Sequence, residues 1–197
     1  MAACKRVEER ARFFSWYYFW DCSGGLPVGQ AAHILDCIQW FMNSTAPVAV
    51  TCSGNKPGLP GAEVPETATI SVEYPENYLA VFTLGYKAMR YNTYNDQVKQ
   101  FHGNKARLDV GREWYSLYPE SSAVEMRPSI DKRAPGSFNF ATLSHIRNFM
   151  DCVVSRREPN APVEAGQATN IVLCMAMDSL RSGRRLRWNT QTRQVEG

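Results

Sequence analysis

Apolar residues return at helical spacing between Ala31 and Met42. Ala31, Ile34, Leu35, Ile38, Phe41 and Met42 fall at i, i+3, i+4, i+7, i+10 and i+11, which is one stripe down one side of a helix. At about 100° per residue, His33, Asp36, Cys37 and Trp40 lie on the opposite side. Gly29 sits one turn below His33 on that side. Gly24 and Gly25 read as a tight turn feeding the helix, so the stretch from Trp20 to Met42 has one face for a core and one for something else. The pattern then changes to period two. Thr67 to Tyr74 alternates strictly, with Ala68, Ile70, Val72 and Tyr74 on one face and Thr67, Thr69, Ser71 and Glu73 on the other. After a turn at Pro75-Glu76-Asn77, the segment from Tyr78 to Tyr86 is apolar on both sides, Leu79 and Val81 included, which predicts a central strand covered twice.

Shorter strands are expected at Val48–Cys52, Gln97–Phe101, Ala106–Val110, Glu113–Tyr118 and Val124–Met126, with turns at Gly103-Asn104 and Gly111-Arg112. Asn55 to Pro65 and Arg127 to Gly136 read as loops. Helical spacing resumes at Leu143, Ile146, Met150, Val153 and Val154, with His145 off the stripe as a structural or solvent-facing residue. A last helix near Val163 to Arg181 is apolar on most sides and ends at Gly183. Helix, then strands, then helices gives an α+β fold: an open, mostly antiparallel β-sheet with helices packed on one face. The length suits a single domain over residues 1–197, with 1–12 allowed to be flexible.

Composition mainly excludes. The net charge of +3 comes without a basic stripe interleaved with aromatics, so nucleic acid is not an expected partner. No apolar run approaches the roughly 18 residues of a membrane span, and the N-terminus lacks the apolar core of a signal peptide. The six cysteines form no CxxC pair; reduced thiols in a cytoplasmic protein are the expectation, with no metal site. Two stretches carry candidate chemistry. Residues 13–21, FFSWYYFWD, form either a core edge or a pocket wall with Tyr18, Trp20 and Asp21 at its rim. Tyr86 to Tyr94 is either a solvated loop or a source of hydrogen bonds to a hydroxylated ligand, through Lys87, Arg90, Tyr91 and Tyr94. His33 and Asp36 are either a structural pair or a general base with its orienting carboxylate.

The run Gly24-Gly25, His33-Ile34-Leu35-Asp36, Gln39-Trp40 resembles a signature in the C-terminal, substrate-binding domain of the Gfo/Idh/MocA oxidoreductases. That signature carries glycines, an Asp, a His four residues later and an Asp three further on. His33 and Asp36 match the last two, and Gly29 stands where the first Asp would be. Ser144-His145-Ile146-Arg147-Asn148-Phe149 through Asp151-Cys152, Arg156-Arg157-Glu158-Pro159 and Gly183-Arg184-Arg185-Leu186-Arg187-Trp188 resemble the closing segment, so the likeness spans residues 12 to 190. It implies that the second sheet face is used for oligomerisation, making a homo-oligomer.

It also implies an N-terminal Rossmann domain holding the nicotinamide. No GxGxxG occurs in the chain and too few residues precede Gly24 for a βαβ unit, so no cofactor is expected and NAD(P) should not bind this polypeptide alone. Three readings follow. One is a stand-alone substrate domain binding a sugar- or lactone-like ligand, unable to do redox chemistry alone and able to work with a separate nucleotide-binding subunit. Another is a cofactor-independent lactonase, for instance on acyl-homoserine lactones, with His33 as base, Asp36 orienting it, and Arg90 or Tyr91 polarising the carbonyl. The third is a non-catalytic dimerisation module.

Overall fold

The computed structural model describes residues 10–58, 61–85 and 97–197. In chain order the elements are α1 (Arg10–Phe14), a 3₁₀ turn (Trp16–Tyr18), α2 (Gly25–Met42), β1 (Ala49–Gly54), β2 (Ala68–Tyr74), β3 (Tyr78–Leu84), β4 (Lys99–His102), β5 (Ala106–Val110), β6 (Trp114–Pro119), β7 (Ile130–Arg133), α3 (Ser137–Ser155), α4 (Val163–Ser182), β8 (Leu186–Asn189) and β9 (Gln194–Glu196). The fold is α+β with antiparallel pairing throughout, and the strands divide between two sheets. The chain forms two compact units, Met1–Met89 with Val163–Gly197, and Arg90–Pro162.

In the first unit the sheet order is β3-β2-β1-β8-β9. Register places Val50, Val72 and Ala80 in one row across three strands, and Cys52, Ile70 and Phe82 in the next. Both rows are buried. Period-two alternation therefore delivers a flat apolar face, and α2 and α4 cover it with Ala31, Leu35, Val172, Met175 and Ala176. The buried Ser179 joins helix to sheet: its hydroxyl accepts from the Cys52 N–H at 2.9 Å and donates to the Arg184 carbonyl at 2.6 Å. Burial also pushes the Cys52 thiol up to about 11. None of the described cysteines is in a disulfide.

Three expectations need correction. Among the described residues β3 is an edge strand, not a central one, and Leu79 and Val81 are 60% and 56% exposed; composition records which side chains a strand has, whereas its place in the sheet depends on which distant segments pair with it. Residues 124–126 form no strand, and β7 lies instead inside the expected 127–136 loop. Its four residues are all exposed, so no alternation marks it. Pairing to β6 and the Ser116 hydroxyl donating to Asp131 at 2.7 Å fix it in place. The aromatic stretch 13–21 holds the end of α1 and the 3₁₀ turn.

The second unit carries the sheet β4-β5-β6-β7 and helix α3. The stripe expected on α3 is present in sequence, but the helix buries none of its residues. No helix among the described residues is long and apolar enough to cross a membrane.

Candidate functional site

Helix α2 begins at Gly25, whose φ of +64° suits glycine. The Ser23 hydroxyl accepts from the Gly25 N–H at 3.0 Å. The helix ends at Asn43 in the left-handed region, φ 54°. Between these stops the apolar stripe is docked: Ala31, Ile34 and Leu35 are buried and Ile38 packs against the core. Docking that side turns Gly29, His33, Asp36 and Trp40, at i, i+4, i+7 and i+11, into one row on the opposite flank. His33, Asp36 and Trp40 are exposed, Trp40 by 77%. At 1.5 Å per residue the row is about 16 Å long.

The last two residues of the row, Asp36 and Trp40, line a cleft of about 430 Å³, and Gly29 and His33 lie outside it. One wall is the C-terminal end of α2 with Asp36, Gln39 and Trp40; another is the start of α4 with Glu164 and Gln167; Trp188 and Arg193 come from the β8–β9 hairpin. Below it lies a polar chain. The Thr169 hydroxyl is 2.7 Å from Gln39 Oε1 and 3.5 Å from Asp36 Oδ1. Tyr74 is buried beside Gln39: burial raises its phenol, as does nearby Tyr78, while the Gln39 amide pulls the other way. Gln39 Nε2 and the Tyr74 hydroxyl nonetheless lack a partner at hydrogen-bond geometry. Turning the Gln39 amide over supplies one for each: Tyr74 donates to its oxygen, its NH₂ donates to Thr169, and Thr169 donates to Asp36. A second chain runs from the Tyr78 hydroxyl to Ser44 at 2.9 Å and from Ser44 to Glu76 at 2.9 Å.

Of the residues singled out by sequence, His33 and Asp36 stand on neighbouring turns. The carboxylate's hydrogen bond is with Thr169, and among the described residues none joins it to His33. Tyr18 and Trp20 pack against the core. The Tyr18 carbonyl accepts from Glu63 and Val64, and the Trp20 N–H donates to the Glu63 carboxylate at 2.9 Å. Asp21 is ion-paired with Arg12, whose guanidinium also lies over the Phe19 ring. None of the three lines the cleft. Arg90 and Tyr91, with Lys87 and Tyr94, lie outside the described residues. No group of three metal-ligating side chains occurs among the described residues.

Sequence reasoning gave no site role to Gln39, Thr169 or Tyr17. The first two meet across 130 positions, and no local pattern announces that. Tyr17 did leave a trace: Gly29 lacks a side chain one turn before His33. A Cβ at Gly29 would run into the Tyr17 hydroxyl, and a Cβ at Gly25 would lie 3.4 Å from the Tyr17 carbonyl oxygen.

The chain matches the model of an oxidoreductase family's C-terminal alpha/beta domain over residues 2–187. Its fold is similar to an aldose-aldose oxidoreductase from Caulobacter crescentus complexed with glycerol (TM-score 0.64, 17% identity, 87% of this chain and 50% of that one). It is also similar to an NAD binding oxidoreductase from Klebsiella pneumoniae (0.68, 15%, 88% and 53%) and to the WlbA dehydrogenase from Bordetella pertussis in complex with NADH and UDP-GlcNAcA (0.57, 17%, 88% and 48%). The chain thus spans about half the length of these solved structures. No curated protein sequence matches it significantly.

Proposed function

The chain belongs to the Gfo/Idh/MocA oxidoreductase family by its C-terminal α/β domain, and we propose that it binds a sugar- or lactone-like ligand along the exposed flank of α2 without performing redox chemistry alone. The observation that carries this is the row Gly29, His33, Asp36 and Trp40, whose last two residues line a cleft with a second indole, Trp188. Indole faces pack against the C–H faces of a pyranose, while carboxylates and amides take its hydroxyls. The relatives point the same way, one an aldose oxidoreductase and one holding a nucleotide sugar. In this reading a separate nucleotide-binding domain or subunit would supply the nicotinamide. Copies of the chain would associate through the outer sheet face, where Leu79 and Val81 stand exposed.

Melting temperature across a panel of sugars and lactones tests the binding. A saturable rise is expected, reduced in Trp40→Ala and Asp36→Asn; no rise with any compound refutes it. Titrating NADH fluorescence with this polypeptide should show no saturable binding, and light scattering reads the oligomer.

The open position of His33 favours a second reading, lactone hydrolysis. His33 would take a proton from water as its oxygen adds to the carbonyl, then return one to the leaving ring oxygen as the ester C–O bond breaks. Lactone opening followed by acid release, unchanged by His33→Ala, would exclude it.

A further inference from the structure

Gly29 is a glycine inside a long helix, a choice that costs about 0.5–1 kcal/mol against alanine. Tyr17 accounts for it. This half-buried residue spans the two glycines: its carbonyl oxygen lies near Gly25, where Val64 makes the closer contact, and its hydroxyl is against Gly29, with Cζ at 3.1 Å from where a Gly29 Cβ would be. The direction from carbonyl to hydroxyl therefore runs up the helix, toward His33. Cβ positions four apart are about 5–6 Å apart, and a helical side chain leans back toward the preceding turn. An imidazole at 33 that leans back in this way heads toward the place the Tyr17 hydroxyl occupies on Gly29. Ring contacts with Trp16 (5.5 Å) and Tyr18 (5.8 Å), both edge-on, steady the phenol.

We propose that Tyr17 is a further ligand-positioning residue: its hydroxyl, seated on the bare backbone of Gly29, shares with His33 one hydroxyl or carbonyl oxygen of the sugar- or lactone-class ligand, and a water in its absence. The proposal rests on the reading that the ligand lies along α2. Where a carboxylate at position 29 would bring a negative charge, the phenol brings a neutral group that both donates and accepts, so it can hold either a ligand hydroxyl or a carbonyl.

The test has a ligand-free and a liganded arm. Without ligand, the His33 ring-proton NMR resonance at fixed pH should move in Tyr17→Phe while those of His102 and His145 stay; an unmoved His33 overturns the proposal. With methyl glucoside or freshly dissolved gluconolactone as probe, Tyr17→Phe should bind about 3- to 10-fold more weakly than wild type, the worth of one hydrogen bond. Equal binding overturns it too. If the wild type binds neither probe nor any other panel member, the binding reading fails, while the His33 resonance still decides whether Tyr17 and the imidazole share an oxygen. Gly29→Ala checks the seat: its methyl displaces the phenol and should weaken binding as Tyr17→Phe does, and wild-type binding by this variant would place Tyr17 elsewhere.

Discussion

Helices α2 and α3 are near twins in sequence pattern and opposites in structure. They have 18 and 19 residues, and each carries an apolar stripe at helical spacing. On α2 the stripe closes over a sheet, and Leu35 is fully buried. On α3 nothing is buried, and Leu143 is 66% exposed. Periodicity thus states which side of a helix is apolar, and leaves open whether anything lies on it. The difference bears on function. With one side of α2 fixed against the sheet, its other flank holds Gly29, His33, Asp36 and Trp40 in a set order, and a site can be built there.

The widest gap should appear on truncating one leucine from each stripe. Leu35→Ala should cost about 2–5 kcal/mol, the price of a cavity in a closed core. Leu143→Ala should stay within about 0.5 kcal/mol. Urea denaturation reads both. A large loss at Leu143 would mean that α3 is covered in solution, and the contrast would fail.

Next in size is a pair of glycines. Gly29→Ala drives a methyl into Tyr17 and should destabilise by about 1–3 kcal/mol. Gly166→Ala, in α4 with open space around it, should stabilise by about 0.4–1 kcal/mol. Opposite signs from one chemical change would show that the flank of α2 is a fitted surface, not merely a solvated one.

A smaller loss is expected from the polar chain beneath the cleft. Gln39→Leu keeps the volume and removes the amide, leaving the buried Tyr74 hydroxyl without its neighbour; a cost of about 1–2 kcal/mol follows, near that of one unmade buried hydrogen bond. Thr169 retains Asp36 as a partner, which limits the damage. No change in melting temperature would mean that Tyr74 and Gln39 are independent.

What the sequence made legible follows the same division between local and distant. The alternation in β2 reads directly as a strand with one buried face, because each of its residues reports its own side. The apolar stripe of α2 and the cap at Gly183 were equally visible. The edge position of β3 was not, since apolar Leu79 and Val81 look the same beside one neighbour or two. Strand β7 was hidden because Ile130, Asp131, Lys132 and Arg133 are all exposed and show no period. At the site, His33 and Asp36 were legible as residues facing away from the core. Their roles were less so: Asp36 turns to Thr169, which only the docking of α4 on α2 brings near, and Tyr17 reaches Gly29 only after the aromatic segment folds back along the helix.

The smallest effect belongs to the sheet's other face, and it separates charge from packing. Glu73 receives two hydrogen bonds from Arg185, at 2.8 and 2.6 Å, and these hold its carboxyl below the ordinary 4.5 despite some desolvation. Arg185 is raised in turn by the same partner. Because the folded value of Glu73 lies below the unfolded one, the pair's contribution is complete above pH 4.5 and fades as pH falls through the folded value. Wild type and Arg185→Met should therefore differ slightly in melting temperature near neutrality, converge below pH 4.5, and also converge at high salt, since both side chains are over 40% exposed. Leu35→Ala should keep its deficit across the same range of pH and salt, because a cavity carries no charge to titrate or screen. If the Arg185→Met difference persisted in acid, the arginine's contribution would lie in its stem packing over the sheet edge, and this outer face would be apolar in effect, a surface closer to the covered side of α2 than to the open side of α3.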